Sequence, residues 1–214
     1  ISYEEIGELI ITVLREALKP YMWLAPIFHV TTVIFVVLLW KYGKKTGRFF
    51  YAYLGFDFVF SALAGSITVT EKFGFVIISS NLLLMLLVGI LWFFGIFRYK
   101  NDFEFLKLDR WRFWAIPLVA LAFWVPMNEF GQPNFNPILL LTSAYGLAFC
   151  FTTPVVIFIL TLFLPRIYKP AYRVLCVVGM YFGTLNLIGP LMIPEYTAWV
   201  AFLHIPLFVI SIYG

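Results

Sequence analysis

With 63% hydrophobic residues, 12% charged residues and a mean hydropathy of +0.95 over 214 positions, this chain lies far from water-soluble domains, in which about a quarter of residues are charged. A fold of this size in water could not hide so much apolar surface, so the solvent it is written for is a bilayer. The formal charge of +4 then reports orientation through its placement and carries no signature of nucleic-acid binding.

The chain opens with an amphipathic segment over residues 1–20. Ile6, Leu9, Ile10, Val13, Leu14 and Ala17 recur on one helical face, with Glu4, Glu5, Glu8, Arg15 and Glu16 elsewhere. Helices that lie on lipid usually carry lysine and arginine on the polar face. The glutamates here make docking on the protein's own outer rim an equal expectation, as a packing helix or as a lid. The segment lacks the basic start and apolar core of a cleavable signal peptide.

A hydrocarbon core about 30 Å thick needs about 20 apolar residues per helix. Runs of that kind predict seven spans: Tyr21 to Trp40, Phe49 to Thr70, Phe75 to Phe97, Trp111 to Met127, Pro137 to Leu164, Val174 to Ile193 and Thr197 to Tyr213. The fourth is short and bracketed by Pro117 and Pro126. Lys41, Lys44, Lys45 and Arg48 follow the first span, and Arg98, Lys100, Lys107, Arg110 and Arg112 follow the third. Arg166, Lys169 and Arg173 follow the fifth, which leaves only Arg15, Lys19 and Lys72 of the 15 basic residues on the opposite side. The positive-inside rule therefore predicts an outer N-terminus and a cytoplasmic C-terminus in a multi-pass protein of the cell membrane. Trp23, Trp124 and Trp199 fall near expected outer ends, and Trp40, Trp111 and Trp114 near inner ends, as an aromatic belt requires. Cys150 and Cys176 fall within spans and form no disulfide framework or metal motif.

The pentad FHVTT (Phe28 to Thr32) is nearly repeated as FCFTT (Phe149 to Thr153), 121 positions on. Lys44 lies over Lys169 and Arg48 over Arg173 at an offset of 125, then Glu71 over Glu195 and Phe75 over Trp199 at 124. This predicts two parallel triple-helix units, residues 21–97 and 137–214, joined by a basic loop, linker helix and outer loop over residues 98–136. In topology and size the chain resembles the 3+1+3 sugar transporters of the SWEET/PQ-loop type, though no proline-glutamine motif is present and none of that family's binding residues is carried over. The C-terminal third, with TTPVVIF (Thr152 to Phe158) and IPEYTAW (Ile193 to Trp199), also resembles a family of small predicted membrane proteins without assigned activity. The first resemblance implies a solute site near the midplane; the second implies only a fold.

Candidate site residues come from polar groups at membrane depth, which are costly there and functional by default. Asp57, with Ser61 and Gly65 on the same helical stripe, is expected to face the bundle, either as a structural carboxyl or in proton coupling or amine recognition. His29 and His204 are placed at equal depth from the outer end. They can line a cavity, meet around a metal or haem, or serve as structural hydrogen-bond donors. Asn81 and Asn186 share the outer half, and Asn186 follows the close-approach pair Gly179 and Gly183. Thr31, Thr32, Thr152 and Thr153, beside Pro26 and Pro154, are expected to be kink elements. Thr32, Thr153 and Tyr145 are secondary cavity liners, and Pro206 is expected to bend the seventh span.

No intramembrane aspartate pair, histidine cluster or phosphate loop suggests an enzyme, and the seventh span has no lysine for a retinal Schiff base. The sequence therefore predicts an all-α, permease-like membrane protein, in contact with lipid and a small solute and without a cofactor. The alternatives are a non-transporting sensor or assembly subunit and, third, a haem- or metal-binding redox subunit.

Overall fold

The computed structural model describes residues 3–98, 103, 110–193 and 196–214. Lys100, Lys107 and Glu195 lie outside them, as do the side chains of Glu4, Glu5, Ile6, Arg110 and Trp111.

Helix α1 (Tyr3–Glu16) leads through a 3₁₀ turn (Lys19–Leu24) into α2 (Ala25–Tyr42), followed by α3 (Gly47–Ser66). A two-stranded antiparallel hairpin, β1 (Ile67–Thr70) and β2 (Gly74–Ile77), connects α3 to α4 (Ser79–Phe97). A second 3₁₀ turn (Arg110–Ala115) precedes α5 (Ile116–Trp124). After an irregular stretch come the single turn α6 (Leu139–Thr142), α7 (Phe149–Leu162), α8 (Lys169–Met192), α9 (Ala198–Leu203) and α10 (Ile205–Tyr213).

Four stretches are long and apolar enough to cross a bilayer: the run Gly7–Lys45 that contains α2, then α3, α4 and α8. Three further apolar helices, over Arg112–Trp124, Phe149–Leu162 and Ala198–Tyr213, are shorter. This is the composition of a membrane protein, and its outward surfaces agree. Ile27, Val30, Val33, Val37 and Trp40 of α2 are all exposed, a continuous apolar face of the kind that membrane helices carry.

Four expected spans differ in detail. The second and third do not run to Thr70 and from Phe75, because the β-branched run Ile67, Thr68, Val69, Thr70 and the stretch Phe75, Val76, Ile77 pair as strands instead. With 20 residues, α3 rises about 30 Å, the thickness of a hydrocarbon core, before the hairpin begins. The fifth run, expected to be continuous from Pro137 to Leu164, is broken between Thr142 and Phe149. At the centre of the break Gly146 has φ +76°, and a Cβ there would lie 2.2 Å from Cβ of Phe28. Glycine is needed twice over, for the left-handed backbone and for the close approach. The seventh run is interrupted at His204, where α9 ends and Pro206 sits in the first turn of α10.

The core is aromatic. Tyr51, Trp92, Phe50 and Phe103 pack at ring distances of 5.1–5.7 Å, and Phe58, Phe149 and Phe182 bridge α3, α7 and α8. Close packing of α8 on α10 depends on its glycines: a Cβ at Gly179 would stand 2.3 Å from Ser211 Oγ, and one at Gly183 would stand 2.9 Å from the Cα of Phe208. The basic loops converge at one end, where Phe103 N–H donates to the Arg166 carbonyl (2.8 Å) and Gly43 abuts the Phe103 carbonyl. Helix α1, with Arg15 and Lys19, and the hairpin turn carrying Lys72 lie at the other end, tied by the Glu8–Lys72 ion pair.

Candidate functional site

The break in the fifth run is held by a buried polar tie. His29 Nδ1 lies 2.8 Å from the Ala25 carbonyl, one turn back on α2, and a carbonyl can only accept. Nε2 lies 3.2 Å from both the Phe123 carbonyl and the Ser143 hydroxyl, so whichever nitrogen carries the proton donates to a backbone carbonyl, and with the proton on Nδ1 the other accepts from Ser143. Nε2 and Ser143 Oγ both stand beside the Phe123 carbonyl at the end of α5, so one imidazole joins α2, α5 and the start of the break.

A second relay lies alongside. The Tyr145 phenol donates to Thr32 Oγ1 (2.9 Å), Thr32 Oγ1 is 2.8 Å from the Tyr53 phenol, and Tyr53 reaches the Phe28 carbonyl at 3.5 Å. Thr152 closes the loop, accepting from Gly146 N–H (2.9 Å) and donating to the Ala148 carbonyl (3.0 Å). Irregular backbone at membrane depth survives only where protein or a cavity satisfies it, and here both do.

Above this break is a cavity of about 880 Å³. Ser143, Ala148 and Phe149 form part of its floor, and the apolar face of α1, including Ile10 and Ile11, forms a wall. Helix α1 packs on the protein here, with Glu16 paired to Lys19 and Glu8 to Lys72. Most of the lining is apolar. Its polar residues include Ser61, Asn81, Ser143, Asn186, Tyr196 and His204, none of them exposed, with Arg15, Lys19 and Glu129 exposed toward the rim.

His204 Nδ1–H donates to the Val200 carbonyl (2.7 Å), which leaves Nε2 as the acceptor this side chain offers the cavity. Asn186 donates to the Phe182 carbonyl (2.7 Å) and accepts from the Tyr196 phenol, which anchors the α8–α9 turn to the cavity wall. Burial, and behind it the nearness of Cys150, pushes the Tyr196 phenol well above its ordinary range, so it remains a donor at any physiological pH.

Asp57 is fully buried and faces the bundle, as its helical stripe predicts. Among the described residues neither carboxyl oxygen has a hydrogen-bond partner, and the same holds for Ser61 Oγ one turn on. Asp57 is close enough to Tyr53 and Tyr145 to act on both electrostatically, and its chain neighbour Phe58 packs against Phe149, the first residue of α7. It therefore sits beside the break, behind the cavity floor.

The expected site residues thus divide into two groups. Asn81, Asn186 and His204 line the cavity, whereas His29, Thr32, Tyr145 and Asp57 belong to the polar layer behind it. Thr153 belongs to neither: it is buried against Gly179 without a hydrogen-bond partner. The two histidines are not brought together; His29 contacts Phe123 and Tyr145, and His204 contacts Phe151. Among the described residues no group of three or more histidine, cysteine and acidic side chains gathers at one place. The threonines do not act as matched kink elements either, since Thr32 serves the tyrosine relay and Thr152 the break. Sequence reasoning missed Ser143, Tyr53, Cys150 and Tyr196. The stretch Ser143-Ala-Tyr-Gly, polar and glycine-bearing inside an apolar run, was the available signal for the break.

No family model matches this chain, and neither a curated protein nor a solved structure does.

Proposed function

We propose that the chain is a seven-span, permease-like protein of the cell membrane, with an outer N-terminus, that takes up a small solute in the cavity beneath α1. The observation that carries this reading is the cavity floor, a break in a membrane-depth helix lying under about 880 Å³ of space. Interrupted helices of this kind expose backbone and small polar groups to a central site, and secondary transporters use them repeatedly. In this reading the three shorter helices cross together with the irregular stretches beside them, which reconciles seven apolar runs with four long helices. The convergence of the basic loops at the far end supports a cytoplasmic assignment for that end and an outward-facing cavity. The SWEET-like 3+1+3 plan belongs to the same proposal.

The lining also describes the solute. Inside the cavity, His204 Nε2 offers an acceptor and Asn81 an amide, while charge is confined to the rim. A mostly apolar wall with a few convergent polar groups suits a molecule held by shape and a small number of hydrogen bonds.

The test is a stability screen of the protein in nanodiscs against small polyols, amides, amines and amino acids, followed by uptake of any stabilising solute into proteoliposomes. Uptake is expected, and His204→Ala or Asn81→Ala should lower it by about tenfold, the worth of one good hydrogen bond. Stabilisation without uptake would move the reading to a non-transporting sensor or assembly subunit. A Soret band in the purified protein would move it to a haem protein.

A further inference from the structure

Asp57 and Ser61 pose a problem that a structural role does not solve. A carboxylate buried without a partner is among the costliest arrangements a protein can hold. Protonation removes the charge but creates an O–H donor that itself needs an acceptor, and among the described residues neither oxygen has a hydrogen-bond partner. Ser61 Oγ, one helical turn away on the same face of α3, is orphaned in the same way, although it is 1% exposed and its residue forms part of the cavity lining. Two carboxyl oxygens and one hydroxyl, an oxygen that can accept as well as donate, therefore share one face of α3 without a hydrogen-bond partner among the described residues, and the hydroxyl belongs to a residue that lines the cavity.

We propose that Asp57 and Ser61 form a binding site for a compact monovalent cation that arrives through the cavity. The chemistry selects that class. One carboxylate can neutralise one positive charge, whereas calcium and magnesium sites are built from more carboxylate and carbonyl oxygens, and among the described residues no group of three or more histidine, cysteine and acidic side chains gathers around Asp57. The neighbouring groups are neutral: Tyr53 and Tyr145 approach from α3 and the break, both held by Thr32, and neither histidine bonds the carboxyl. No lysine or arginine ion pair reaches Asp57 among the described residues. Phe58, next to Asp57 in the chain, packs against Phe149, the first residue of α7, so this stretch of α3 meets the end of an interrupted helix, the kind of place where transporters hold coupling ions. Two sources offer the same chemistry, a free sodium ion that accompanies the solute and an ammonium group carried by the solute itself. The inference deepens the permease reading and rests on its solvent-reached cavity.

The experiment follows the unfolding temperature of the full chain in nanodiscs at constant ionic strength. Choline chloride is replaced stepwise by sodium chloride up to about 0.15 M in one arm and by methylammonium chloride in the other. A saturable rise in at least one arm is expected, because a ligand bound only by the folded state raises its stability. Asp57→Asn should abolish that rise, and Ser61→Ala should shift its midpoint to about tenfold higher cation concentration, the loss of one coordinating oxygen. A rise with sodium identifies a coupling ion, and one with methylammonium alone identifies a substrate amine. No rise in either arm, or an equal rise in Asp57→Asn, overturns the proposal; should that variant not fold, an unshifted midpoint in Ser61→Ala overturns it. Alkylation of Cys150 from the cavity on the same sample separates this failure from failure of the cavity itself.

Discussion

Gly146 and Gly74 offer a controlled comparison at the level of single residues. Both hold left-handed backbone, at φ +76° and +66°, but a Cβ at Gly146 would meet Phe28 whereas one at Gly74 meets nothing within 4 Å. Gly74→Ala should therefore cost only the backbone preference, about 1–2 kcal/mol. Gly146→Ala should cost that and a further 1–3 kcal/mol or so of overpacking, and should lower the unfolding temperature by clearly more. Equal losses at the two positions would contradict the packing of the break on α2. Tyr196→Phe tests a different link. It removes the donor to Asn186 and leaves the ring against Gly189, so about 1 kcal/mol of stability should go, with no dependence on pH below the raised phenol range.

At the scale of elements, α8 and α10 pack through glycine. Gly183→Ala would press on the Phe208 backbone, which cannot rotate away, and should separate the two helices at a cost of about 1–3 kcal/mol. This contact was legible in the sequence, because Gly179, Gly183 and Asn186 share one helical face, and so were the amphipathic α1 and the bend before Pro206. The β-hairpin and the break were not. A hydropathy window registers how apolar a run is and does not distinguish a helix from a β-branched strand pair of the same polarity, as at Ile67–Thr70. It also passes over a single glycine such as Gly146, whose effect lies in backbone geometry and not in transfer energy. The polar layer was half legible for the same reason. Asp57, His29, Thr32 and Tyr145 stood out as costly residues at depth, but their division from the cavity liners Asn81, Asn186 and His204 depends on which way each helix turns. Equal depth for His29 and His204 said nothing about facing, and the structure points them at different partners.

For the whole molecule, the gathering of basic loops at one end and of α1, the hairpin and the cavity at the other gives the account its direction. Cysteines placed in the loop from Lys41 to Arg48 should be labelled only from the cytoplasmic side in intact cells. The central claim, however, is that the broken helix floors a cavity open to the outside, and Cys150 reports on it directly because it lines that cavity while Cys176 is buried elsewhere. The most direct measurement is the reaction of a membrane-impermeant thiol reagent with a Cys176→Ser protein, which leaves Cys150 as its one thiol, in sealed cells. Labelling from outside is expected, slowed when Ile11→Trp fills the space beneath α1. Labelling only after denaturation, or only from the cytoplasmic side, would contradict it.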